Sequence, residues 1–115
     1  MILVFDTETT GLPRNYKAPI SDSANWPRAV QIGWQLLDGQ GACIAAQSLV
    51  IYPDGFEIPF NAAKVHRITT ERARAEGQPL EVVLDAFESD LQKASVVVGH
   101  NIEFDLLIVR AEWYR

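Results

Sequence analysis

The stretch ILVFDTETTGLP, Ile2 to Pro13, sets two acids two residues apart at the end of an apolar run. Ile2, Leu3, Val4 and Phe5 read as a short buried strand, because β-branched and aromatic side chains fit a pleated, covered surface. Gly11 and Pro13 then break it. Side chains two apart on a strand point to the same face, so the carboxylates of Asp6 and Glu8 lean toward each other. Like charges held close repel, and burial strengthens the repulsion. The spacing therefore predicts that something positive sits between them.

The rest of the chain bounds what that can be. Its 115 residues suffice for one core and not for two domains. An apolar fraction of 48% with 22% charged residues is ordinary for a globular protein. No apolar run is long enough to span a bilayer, which predicts no membrane partner, and no leader pattern opens the chain. The single cysteine, Cys43, has no internal partner; it reads as a small core or edge residue in a reducing, cytoplasmic setting. A formal charge of −5 argues against gripping nucleic acid by bulk charge. A polyanionic partner would need a local basic patch or bound metal.

Outward from the opening strand, Arg14 to Pro27 lacks periodicity and reads as a long loop, either functional or a surface excursion pinned by Trp26. Val30, Ile32, Trp34 and Leu36 alternate onto one strand face, and Asp38 to Gly41 marks a hairpin turn into a third strand. Asn61 is positioned to cap a short helix, and Thr69 or Thr70 a second one ending at Gly77. Pro79 opens a third, in which Leu80, Val83, Leu84, Phe87 and Leu91 share a buried face. ASVVVGH reads as a compact apolar strand, and Asn101 as the cap of a last helix. Three strands, helices, a strand and a helix make a mixed α/β sheet.

Asp105 lies inside that last helix, ringed by Ile102, Ile108 and Val109. A carboxylate in an apolar ring is costly unless something satisfies it. Since the helix packs on the sheet that carries Asp6 and Glu8, three acids converge. Carboxylate oxygens without His or Cys select hard cations such as Mg²⁺ or Mn²⁺. Two such ions are the usual device for in-line attack on a phosphodiester. The residues alone leave blander readings open: Asp6 on turn amides, Glu8 solvated, Asp105 favouring a helix start, and His100 a satisfied polar residue.

FDTETTGL (Phe5 to Leu12) followed by VVGHNIEFD (Val97 to Asp105) resembles the first two motifs of the D-E-D-D 3′–5′ exonucleases, the epsilon-like proofreading type. WPRAVQIGW (Trp26 to Trp34) and AAKVHRITTE (Ala62 to Glu71) resemble segments between those motifs. The resemblance implies a ribonuclease H-like fold and removal of nucleotides from 3′ ends of DNA or RNA with two Mg²⁺ or Mn²⁺ ions. It implies Asp6, Glu8 and Asp105 as catalytic metal ligands, one ion lowering the pKa of a bound water and the other stabilising the departing 3′ oxygen. Thr7 to Thr9 would lie beside the terminal nucleotide, Leu12 would wedge against its base with Phe104 near it, and His100 and Asn101 would flank the scissile region. For Leu12 and Phe104, plain core packing is the other reading. Polymerase subunits are implied as partners.

Two departures stand out. The family often has glycine after the histidine of its VH segment, where this chain has Arg67, a residue that could also meet a phosphate. The family's third motif, a His or Tyr base with a fourth acid, has no counterpart through Arg115. His66 is the one substitute base to propose, and it also belongs to the expected substrate-binding set. The expectation is thus the N-terminal portion of an exonuclease domain, C-terminally incomplete, slow by itself, and self-associating or dependent on a partner segment where Trp113 and Tyr114 are exposed. A catalytically silent nucleic-acid-binding or polymerase-accessory domain is the alternative. A metal-binding protein unrelated to nucleic acid would accommodate the acids but not the intervening segments.

Overall fold

The computed structural model describes residues 1–115. A four-stranded sheet runs in the order β3-β2-β1-β4. Its strands are β1 (Ile2–Thr9), β2 (Ala29–Leu37), β3 (Cys43–Val50) and β4 (Val96–Val98). Strands β1 to β3 pair antiparallel as a meander, while β4 lies parallel to β1 after a crossover through α1 (Phe60–His66), α2 (Thr70–Glu76) and α3 (Leu80–Leu91). Helix α4 (Ile102–Tyr114) follows. The expected mixed α/β sheet is the fold observed.

The register explains the core. Leu3 opposes Leu36, Phe5 opposes Trp34 and Thr7 opposes Ile32, so one sheet face carries the apolar row expected from the alternation in β2. Phe87 of α3 lands on that row, 4.9 Å from Phe5 and 5.3 Å from Trp34 between ring centroids. The Trp34 indole N–H donates to Asp90 at 2.8 Å, which satisfies the one polar atom such a side chain brings into a core. Ile108 and Val109 of α4 complete the cluster. A second, smaller core of Val30, Val50, Ile58, Ile68 and Ala73 seats α1 and α2.

Several local expectations shift. Strand β1 carries both acids, as expected, and runs to Thr9, where β2 still supplies a partner at Ala29 after a register shift between Glu8 and Thr9. Asn61 is not a cap but lies inside α1, which begins at Phe60, two residues before the expected start, behind Pro59. Thr69 is the cap of α2, accepting from the Arg72 amide at 3.1 Å, and Pro79 precedes α3 instead of sitting inside it. β4 is the expected apolar strand and lies at the sheet edge, with Val96 and Val98 half-exposed. Cys43 is exposed on the opposite edge strand. The loop from Arg14 to Pro27 is pinned by Trp26, which is 3% exposed and donates its indole N–H to the Pro19 carbonyl.

Candidate active site

The end of β1 is where the sequence-predicted site residues meet. By the pairing register, Asp6 and Glu8 share the face opposite Leu3 and Phe5. Thr7, between them, turns to the helix side. There Asp105, only 5% exposed, accepts both the Thr7 amide at 3.0 Å and the Thr7 hydroxyl at 2.5 Å. A carboxylate buried in the apolar ring of α4 thus finds its hydrogen bonds on the strand that carries the other two acids, which is what its burial demanded.

None of the four ion pairs of the chain involves Asp6, Glu8 or Asp105. The consequence is electrostatic. Burial first, and then the neighbouring Asp6 and Asp105 charges, hold the Glu8 carboxyl above its ordinary pKa, with His66 acting against them. Burial likewise raises Asp105, the two Thr7 hydrogen bonds oppose it, and Asp6 adds to the rise. These acids repel one another, and no ion pair within the chain relieves them.

Hard carboxylate oxygens with uncompensated charge fit a divalent cation of the Mg²⁺ or Mn²⁺ kind. The convergence is not, however, a closed cage: no group of three His, Cys, Asp or Glu side chains is arranged to hold a metal ion. The reason lies in the register, since Asp6 and Glu8 leave one face of β1 while Asp105 arrives from the other.

Around the acids, His66 reaches Thr9. Its Nδ1 accepts the Ile68 amide at 3.1 Å, which leaves the proton on Nε2, 3.1 Å from the Thr9 carbonyl that accepts it. Both ring nitrogens are therefore engaged within the chain, and His66 is no free base in this conformation. Arg67 follows with φ 66°, closing α1 through a bond from its amide to the Ala63 carbonyl. A left-handed residue after a helix is the position glycine favours, so Arg67 keeps the backbone path at a conformational cost.

His100 and Asp6 line one shallow cleft of 680 Å³ with Gly33, Gln35, Ser48 and Gly99. Gly99 makes this juxtaposition feasible: a Cβ there would lie 2.8 Å from the Phe5 carbonyl oxygen. Asn101 does precede α4 as expected, but its side chain makes no capping bond. It holds φ 52°, and asparagine is among the few residues that tolerate that region. Leu12 is 74% exposed, which removes the core-packing reading for it. Phe104 is half-buried, packing edge-on against Tyr16 with centroids 6.4 Å apart.

Sequence reasoning missed one cluster. Glu112, 2% exposed, accepts Arg28 Nε at 2.9 Å and Arg115 Nη1 at 2.5 Å through the same oxygen, Oε1. Its signal was available: Glu112 follows Asp105 by seven residues on α4, hence on the same face. A cavity of 960 Å³ opens beside this cluster rather than at the β1 acids. Its rim carries Asp54, Glu81, Asp85 and Glu88, a charge that repels a polyanion.

Comparison with known proteins identifies the family and the fold. The exonuclease family RNase_T matches residues 3–115. DNA polymerase III subunit epsilon of Treponema pallidum (strain Nichols) is 35% identical over 108 residues, covering 94% of this chain and 44% of that protein. Among solved structures, E. coli Exonuclease I in complex with a dT13 oligonucleotide superposes with a TM-score of 0.78 at 22% identity, over 98% of this chain and 23% of that one. A product-bound structure of exonuclease I gives 0.77 at 22% identity, over 98% of this chain and 25% of that one. The likeness to these structures is one of fold, the ribonuclease H-like fold expected from the motifs. The chain spans under half the length of the curated relative it matches.

Proposed function

This chain belongs to the RNase T-type exonuclease family, and from that premise we propose that it carries the metal-ligand half of a 3′–5′ exonuclease, removing nucleotides from the 3′ ends of DNA or RNA. The observation that carries the reading is Asp105 drawn onto Thr7, which lies between two acids that form no ion pair within the chain. Asp6, Glu8 and Asp105 are the residues that would hold two Mg²⁺ or Mn²⁺ ions. When bound, such ions neutralise charge on the phosphate and supply a nucleophile at neutral pH. Thr7 fixes the Asp105 carboxylate through two hydrogen bonds, which tie the helix to the strand. Leu12, exposed beyond the strand end, meets the terminal base, and Phe104 flanks it. His100, beside Asp6 in the cleft, and Asn101 border the scissile phosphate. A base and a fourth acid have no assignment among these 115 residues.

Proofreading beside a polymerase is the finer form of the proposal, supported by the likeness to an epsilon subunit, and a reducing cytoplasmic setting agrees with the free, exposed Cys43 thiol. Trp113 and Tyr114, 42% and 59% exposed, are available to a partner segment or a second copy. A second reading, a catalytically silent nucleic-acid-binding domain, draws on the absence of a preformed three-ligand cage.

The test is direct. Calorimetric titration of the protein with Mn²⁺ should show binding that Asp6→Ala abolishes, and a 5′-labelled oligonucleotide should shorten from its 3′ end only when Mg²⁺ or Mn²⁺ is present. Binding without shortening selects the silent reading; equal Mn²⁺ binding by wild type and Asp6→Ala sinks the site.

A further inference from the structure

Glu112 is a costly residue to bury. Its side chain is 0% exposed, Oε1 takes two arginine donors, and Oε2 has no hydrogen-bond partner. Breaking such a cluster leaves charge stranded, so it persists where the geometry it enforces matters. What it enforces can be traced atom by atom. Arg28 is held at Nε by Glu112, and its guanidinium lies 4.4 Å from the centroid of the Phe56 ring. The Arg28 backbone then pairs reciprocally with Thr10: the Thr10 amide donates to the Arg28 carbonyl at 2.9 Å, and the Arg28 amide donates to the Thr10 hydroxyl at 2.9 Å. Arg115, on the same Glu112 oxygen, donates to the carbonyls of Ser23 and Trp26, the last stretch of the long loop.

Glu112 therefore sits one link away from Thr10, where β1 ends and the exposed Gly11 and Leu12 begin. Two turns earlier on the same helix face, Asp105 holds Thr7. We propose that Glu112, acting through Arg28, is a positioning residue that fixes the Thr10–Leu12 segment against the same helix that carries Asp105, and so sets how the 3′-terminal nucleotide is seated. This rests on the exonuclease reading above, in which Leu12 meets that nucleotide.

The experiment compares wild type, Glu112→Gln, Arg28→Lys and the double variant in the full chain. Hydrogen exchange is read at Thr10 and Thr7, and trimming of a single-stranded oligonucleotide gives KM and kcat. Loss of the clamp should speed exchange of the Thr10 amide about tenfold while leaving Thr7 unchanged, as expected of a local opening. KM should rise about fivefold with kcat within about twofold, the signature of lost substrate seating rather than lost chemistry. The double variant should be no worse than either single, since both cut one chain of contacts. A merely structural role would lower the active fraction, hence kcat, with KM unchanged. That result, or an unmoved Thr10 amide, overturns the proposal while wild-type trimming stands. A wild type that shortens no 3′ end overturns the exonuclease reading instead. Should Glu112→Gln fail to fold, Arg28→Lys alone carries both readings, and an unchanged KM there overturns the proposal.

Discussion

Helix α4 buries two carboxylates seven residues apart, and their surroundings are opposite. Glu112 has two arginines on one oxygen, so its charge is met inside the chain. Asp105 has only the neutral donors of Thr7, and the charge that acts on it is that of another acid, Asp6. The first arrangement closes a joint; the second leaves negative charge that a cation from solution can relieve. Burial of an acid is thus no guide to its role until its partners are known. By that criterion one end of the helix holds a carboxylate whose charge is closed off and the other a carboxylate still open to a cation.

The contrast is sharpest in activity. Asparagine at position 105 can still accept both Thr7 bonds, so Asp105→Asn keeps the fold and removes only charge. Loss of about 3 kcal/mol of transition-state stabilisation should slow 3′ trimming by roughly a hundredfold, measured in single turnover with excess protein. Trimming at the wild-type rate would break the comparison at once.

Stability should respond in the reverse order. Glu112→Ala strands two arginines, and since both reach partly into water the cost should lie near the low end, about 3 kcal/mol, read from urea unfolding. Asp105→Asn, in the absence of divalent metal, should leave stability unchanged or raised. Equal destabilisation by both variants would show that Asp105 is as structural as Glu112.

A smaller effect concerns pH. Glu8 and Asp105 are raised in the folded state, so the folded chain retains protons that the unfolded chain releases. These two groups stabilise least once both states are ionised. In a chelator, their contribution to stability therefore falls as pH rises from the ordinary carboxylate range, roughly pH 4, through their raised values. Asp105→Asn should flatten that slope, and saturating Mn²⁺ should do the same. A slope that rises with pH and ignores Asp105→Asn would contradict the repulsion.

The smallest expected change lies outside both carboxylates. Arg67→Gly relieves a left-handed residue after α1, beside the His66–Thr9 contact, and should stabilise the fold by about 0.5–1 kcal/mol in the same urea assay. A loss of stability would mean that the Arg67 side chain contributes more than its backbone costs.

What could be read without the structure was whatever a short-range period encodes. Alternation placed Ile32, Trp34 and Leu36 on one face, though Val30 went to the second core, helical spacing placed Val83, Leu84 and Phe87 on another, and a two-residue step put Asp6 and Glu8 on one face. Motif order then pointed to the family and its fold. Tertiary structure alone decided the rest. It shifted the β1–β2 register between Glu8 and Thr9, left β4 on an edge, and put φ 52° on Asn101 where a side-chain cap was expected. Most of all, it chose partners for the two buried acids: Thr7, 98 residues from Asp105, and Arg28, 84 residues from Glu112. A period in the sequence states which way a side chain points from its own element. Which group lies opposite depends on how elements pack across the whole chain, and for a buried carboxylate that opposite group decides whether its charge is closed off or left for a metal.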